Sequence, residues 1–169
     1  LDAKSVNGTT LGEEIKNSAK WTQNIITDKS NPVFNAGSIA VLKGTLAPNS
    51  AIIKQSAATE SLLIHEGRAV VFEGLEDLAD RIDRDDLDVT KDDVLVLKSI
   101  GPKGGPGMPE AGLIPIPKKL AKQGVKDMVR ISDGRMSGTA SGTIILHVTP
   151  ESYENGPLAI VQNLSLIHI

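Results

Sequence analysis

Seven short apolar runs, at residues 38–43, 51–55, 68–73, 94–98, 127–131, 143–148 and 157–162, recur along the chain at close intervals. Each is short and rich in β-branched residues, so each reads as a strand. Only three helical patterns accompany them. Thr10 stands as a cap before Leu11-Gly12-Glu13-Glu14-Ile15, with Leu11, Ile15 and Ala19 at the i, i+4 spacing, which predicts a helix over 10–20. The others are Leu75 to Ile82 and Pro117 to Gln123, the latter stopped by Gly124. Lys29-Ser30-Asn31-Pro32 breaks the chain between the first helix and the first strand. So many short strands with so few helices exclude a doubly wound sheet. They predict a mixed α/β fold, a closed or nearly closed β-barrel-like sheet with helices packed outside.

At 169 residues the chain is about one domain, large enough to bury roughly 70% of its unfolded surface. Trp21, Phe34, Phe72 and Tyr153 are its only aromatics, so the core must be built of Val, Ile, Leu and Ala. A net charge of −3 supplies no basic field, and no Lys/Arg cluster is interleaved with aromatics, which argues against a nucleic-acid partner. No apolar run approaches a membrane span, and Asp2 and Lys4 stand where a signal peptide would be apolar. A cytoplasmic location is expected. Cysteine is absent, so the chain can offer no thiolate to an iron–sulfur cluster. It begins with Leu1, which fits a piece of a longer protein.

Two segments are too specialised for solvent loops. Residues 101–110, Gly-Pro-Lys-Gly-Gly-Pro-Gly-Met-Pro-Glu, hold four glycines and three prolines in ten positions and end on the carboxylate of Glu110. Alternating residues that free and fix φ makes a stiff, shaped loop. After the strand-like 127–131, Ser132-Asp133-Gly134-Arg135-Met136-Ser137-Gly138-Thr139 gathers polar side chains around two glycines, as a ligand-presenting loop at a strand end does.

In this order and separation, the two segments resemble the C-terminal part of the dihydroxy-acid and sugar-acid dehydratases, the iron–sulfur hydro-lyases. The likeness extends to Leu11-Gly12-Glu13, residues 40–48 (Ala-Val-Leu-Lys-Gly-Thr-Leu-Ala-Pro), residues 67–72 (Gly-Arg-Ala-Val-Val-Phe), residues 146–151 (Leu-His-Val-Thr-Pro-Glu) and residues 156–159 (Gly-Pro-Leu-Ala). It fails after Asn163, so 1–163 is read as the C-terminal barrel domain and 164–169 as a tail foreign to it. The resemblance implies the same barrel that the strand pattern predicts.

It also implies loss of water from a 2,3-dihydroxy carboxylic acid to give a 2-keto-3-deoxy acid through an enol. That chemistry needs a base for the C2 proton, a Lewis acid for the departing C3 hydroxyl and a cation for charge growing at C1 and C2. By the resemblance, Ser137 is the base and Glu110 a magnesium ligand, while the iron–sulfur cluster is held by an N-terminal domain that this chain lacks. A serine serves as a base only beside positive charge. From its residues alone, Ser137 before Gly138 reads as a turn residue, whereas for Glu110 the stiff loop leading to it counts against a mere exposed charge. Thr139 is equally suited to bind a substrate hydroxyl or carboxylate or to cap a helix. Arg135 can pair with a substrate carboxylate or brace Asp133, the brace being preferred.

Met136 and the Ser137-Gly138-Thr139-Ala140 continuation favour the sugar-acid branch, acting on aldonic acids such as arabinonate or xylonate. The alternatives are a dihydroxy-acid dehydratase of branched-chain amino-acid biosynthesis, or a barrel that binds without chemistry. A homodimer or homotetramer is expected of the full enzyme. His147 reads as a structural histidine on the face of Ile145, and His65 as a packing or surface residue. Lys103 lacks the Gly-Lys-Ser/Thr context of a phosphate loop. The acidic stretch from Asp80 to Asp93 reads as a solvated helix end and turn.

Overall fold

The structure, a computed structural model, describes residues 1–19, 23, 25–105, 107 and 114–169, which divide into two compact units, Leu1–Asn35 and Ala36–Ile169. In the first, helix α1 (Leu11–Asn17) starts where the sequence places it. Thr10 accepts the Glu13 N–H at 3.2 Å, and the Glu13 carboxylate returns to the Thr10 N–H at 2.8 Å, closing a capping box. No residue of α1 is buried.

The second unit holds the strands β1 (Ala40–Leu42), β2 (Ser50–Ile53), β3 (Glu66–Phe72), β4 (Val94–Leu97), β5 (Arg130–Ser132), β6 (Ile144–Thr149) and β7 (Leu166–His168). They form one curled sheet in the order β1-β2-β6-β5-β4-β3-β7. The centre is parallel, β3 to β4 to β5 to β6, and antiparallel pairs flank it, β2 with β6, β1 with β2, and β3 with β7. The mixed α/β, barrel-like expectation holds. The sheet curls, but among the described residues it keeps β1 and β7 as edges.

Alternation along the central strands explains why the helices lie on one side. Val70, Phe72, Leu95, Leu97 and Met128 face helices α2 (Leu75–Arg81) and α3 (Lys118–Ala121) through Leu78, Ile82 and Leu120. Their neighbours Ala69, Val71, Val94, Val96, Val129 and Ile131 face a second core with Ala51, Ile53, Ile145 and Val148. Consecutive parallel strands in sequence order never reverse the winding, so both crossover helices fall on the same face. Strands covered on both faces read as continuous apolar runs, which is what Val94–Leu97 is.

One departure concerns the end of the chain. The run 157–162 is no strand: Pro157–Ile160 is a 3-10 turn, because Pro157 has no N–H to give a ladder. The last strand is β7, inside the segment read as a foreign tail. Leu166–His168 pairs with Glu66–Arg68, the Ser165 carbonyl accepts the Ala69 N–H at 2.7 Å, and Ile167 is buried. His168 lies exposed on that edge strand, and His65 packs its Nε2 2.9 Å from the Asp92 carbonyl oxygen. Among the described residues, no helix is long and apolar enough to cross a membrane.

Candidate functional site

Parallel neighbours β4 and β5 end in register, Leu97 beside Ser132, so the two loops that follow leave the sheet at the same edge. That is the carboxyl-terminal edge, where ligand sites of parallel sheets collect. Two buried carboxylates fasten these loops, Asp133 one to the other and Glu151 the first to the segment after β6. Asp133 accepts the Ile100 N–H at 3.1 Å, the Ser99 N–H at 3.3 Å and the Ser152 N–H at 2.9 Å, and also the Ser152 hydroxyl. Glu151 accepts the Lys103 N–H at 2.8 Å. A side chain on Gly101 would collide with the Glu151 carboxylate, and one on Gly134 would meet Ile100 Cδ1 at 2.6 Å. Gly134 thus permits close approach of one loop to the other, and Gly101 of the first loop to the segment after β6.

A second clamp holds the far ends of the same loops. Arg130, 4% exposed, points to the helix-covered face and donates from Nη1 to the Ile114 carbonyl at 3.0 Å, from Nη2 to the Ser141 carbonyl at 3.3 Å and to the Asp127 carboxylate at 2.7 Å. Asp127 also accepts the Thr59 hydroxyl at 2.7 Å and the Thr143 N–H and hydroxyl at 2.9 and 2.8 Å. Burial pushes the Asp127 carboxyl up, but these hydrogen bonds and the Arg130 charge outweigh it and hold it below the usual range. Burial lowers the Arg130 pKa against the pull of Asp127, and a guanidinium remains charged regardless.

Within the second loop, Ser137 and Thr139 come together, Oγ to Oγ1 at 2.9 Å. The Ser137 oxygen also accepts the Thr139 N–H at 3.1 Å, and its carbonyl accepts the Ala140 N–H at 3.2 Å. Ser137 is thus a turn residue in fact. Its hydroxyl nonetheless stays partly accessible beside an exposed Thr139. Arg135 is exposed on the same loop. Glu110 lies outside the described residues.

Two residues that touch this loop were not read as part of the site. Lys54, just after β2, reaches the Gly138 carbonyl with its ammonium at 3.0 Å. His147 accepts the Met136 N–H on Nε2 at 2.8 Å and gives its own N–H to the Gly134 carbonyl at 2.9 Å. The expectation that His147 shares the face of Ile145 is corrected here. Ile52 pairs with Leu146 but Ser50 with Thr149, so β6 carries one extra residue, a bulge. His147 takes a left-handed φ of 54°, and Val148 occupies the core face instead. No alternation rule reveals a bulge, although a histidine inside an apolar strand was a signal that something polar awaited it.

The described residues bring together no donor set for a metal or a cluster. The chain has no cysteine, and among the described residues no three His, Asp or Glu side chains converge. Glu110 is the single ligand that the sequence reading offered.

Residues 24–169 match the family described as dihydroxy-acid/6-phosphogluconate dehydratase, C-terminal. The chain belongs to that family. It is similar to a putative dehydratase, IlvD1, of Rhizobium meliloti (54% identity over 95% of this chain and 28% of the relative). It is similar also to an L-arabinonate dehydratase of Rhizobium leguminosarum bv. trifolii (46% over 99% and 29%) and a dihydroxy-acid dehydratase of Carboxydothermus hydrogenoformans (42% over 99% and 30%). The chain therefore spans less than a third of the length of these relatives.

Proposed function

We propose that this chain supplies the proton-abstracting part of a hydro-lyase that converts a 2,3-dihydroxy carboxylic acid to a 2-keto-3-deoxy acid, and that the acid is an aldonic acid such as arabinonate or xylonate. The observation that carries this reading is the hydroxyl pair of Ser137 and Thr139, 2.9 Å apart on a loop anchored at both ends. The C2–H bond breaks toward the Ser137 oxygen and the C3–O bond breaks, so that H and OH leave as one water and the enol becomes the keto acid. Thr139 Oγ1 stabilises the ionised serine oxygen, and the Lys54 ammonium on the Gly138 carbonyl adds positive charge to the same turn. Arg135 meets the substrate carboxylate.

An iron–sulfur cluster and Mg2+ belong to this reading, with Glu110 as one magnesium ligand and the remaining ligands supplied by the rest of the enzyme, which works as a homodimer or homotetramer. The sugar-acid choice rests on relatives named for L-arabinonate and L-arabonate at 46% and 49% identity, against 42% for a relative named for dihydroxy acid. Steady-state kinetics on the complete enzyme test it. A pocket built for hydroxyls discriminates strongly against substrates that leave its polar groups unpaired. We expect a higher kcat/KM for pentonic acids than for 2,3-dihydroxy-3-methylbutanoate. The opposite order would assign the protein to branched-chain amino-acid synthesis.

A further inference from the structure

His147 is the one histidine of the chain that the site described above does not explain as packing, edge or turn. It sits on the β6 bulge with a left-handed backbone, a conformation that histidine adopts more readily than most residues and that nothing in the strand itself requires. The bulge turns both of its polar groups toward the Ser137 loop. Its N–H donates to the Gly134 carbonyl at 2.9 Å, and its Nε2 accepts the Met136 N–H at 2.8 Å. An accepting Nε2 carries a lone pair, so the ring is neutral with its proton on Nδ1. Burial lowers the His147 pKa and favours that same neutral form. The loop is thus gripped at two points, and Ser137 is the first residue beyond the grip.

We infer that His147 is the positioning residue of Ser137: by accepting the Met136 N–H it fixes the Arg135–Met136 peptide, one residue ahead of Ser137, and so the course of the chain from which the Ser137 hydroxyl is aimed. This rests on Ser137 being the base of the proposed reaction. His147 does not touch the reacting atoms and acts only through the Arg135–Met136 peptide that leads into Ser137. A displacement of that peptide by about 1 Å costs on the order of 100-fold in rate, because proton abstraction needs the acceptor within hydrogen-bond reach of C2.

The test uses the complete enzyme and two substitutions. His147→Asn suits the left-handed backbone but is too short to reach Met136, whereas His147→Gln places an acceptor near the position of Nε2. We expect His147→Asn to lower kcat by about 10- to 100-fold, with KM little changed and the thermal midpoint kept. Amide exchange over 134–139 should quicken. His147→Gln should restore most of kcat and of the protection. In the unsubstituted enzyme, the Met136 amide should exchange more slowly than that of exposed Gly138, and equal rates would overturn the clamp without any variant. Parental kcat and exchange in His147→Asn, or a Gln variant no better than Asn, would also overturn it. Ser137→Ala run alongside separates the two ideas: turnover surviving there refutes Ser137 as the base, while the exchange measurements judge the clamp independently.

Discussion

Two side chains decide whether the loops of this domain hold their shape. Asp127 and Arg130 are nearly buried, 2.7 Å apart, and tie Thr59, Thr143, Ser141 and Ile114 into one network. Removing one partner of such a pair leaves an uncompensated charge, so Asp127→Asn should cost about 3 kcal/mol, read by denaturant unfolding at neutral pH. The folded-state pKa of Asp127 is lowered, so its stabilisation is fully present above the unfolded value near ~3.9 and is lost as pH falls below it through the folded value. Asp93, held low against its burial by Arg68 and Thr90, follows the same sign. Unfolding free energy should therefore decline below about pH 4 through these carboxylates, after a smaller loss that begins below about pH 6.5 because burial lowers the His147 pKa, and Asp127→Asn should make the decline below about pH 4 shallower. An unchanged acid limb in the variant would mean that Asp127 is not held low. At this scale the residues alone showed Ser137 only as a turn residue, which it is; its role as base, and that of Thr139 beside it, came from the family resemblance. The sequence concealed Lys54 and His147. Lys54 lies 84 positions from Gly138 in the chain, and His147 depends on a bulge that leaves no mark in residue pattern.

The elements show the same division between local and long-range information. Val94–Leu97 and Ile144–Thr149 were legible because β-branched runs covered on both faces have no other plausible conformation. The capping box fixed the start of α1 for an equally local reason. What local pattern misled about was the end of the chain, where Pro157–Ile160 has the composition of a strand but cannot donate its first ladder hydrogen bond. The parallel order of the centre was also invisible, since pairing between Ala69 and Val94 or Leu95 and Arg130 is a fact of register rather than composition. Strand β7 gives the direct test. Ile167 is buried, the Leu164 N–H bonds the Ala69 carbonyl at 2.9 Å, and the Ile169 N–H bonds that of His65 at 2.8 Å. Deleting 164–169 should lower stability by about 2 kcal/mol, the cost of exposing one large aliphatic side chain, and should expose the Glu66–Arg68 edge to amide exchange. Unchanged protection of Gly67 and Arg68 would show that β7 adds nothing to the sheet.

For the whole molecule, the proposed function makes the domain a scaffold that presents one loop to chemistry completed elsewhere in the enzyme. Because the chain holds no cysteine, the 169 residues alone, supplied with iron, sulfide and Mg2+, should form no keto acid from arabinonate in a colorimetric assay. Turnover above background would show that the chain needs no further domain. The central claim is that this domain contributes the base, and it stands on the Ser137 oxygen. The most direct measurement is keto-acid formation by the complete enzyme carrying Ser137→Ala, at matched iron and magnesium content and unchanged thermal midpoint. The account predicts a fall in kcat of at least about 1,000-fold, within the range by which a positioned base accelerates proton transfer. A kcat within a few-fold of the parent would contradict it and leave Ser137 as the turn residue that its hydrogen bonds to Thr139 and Ala140 already make it.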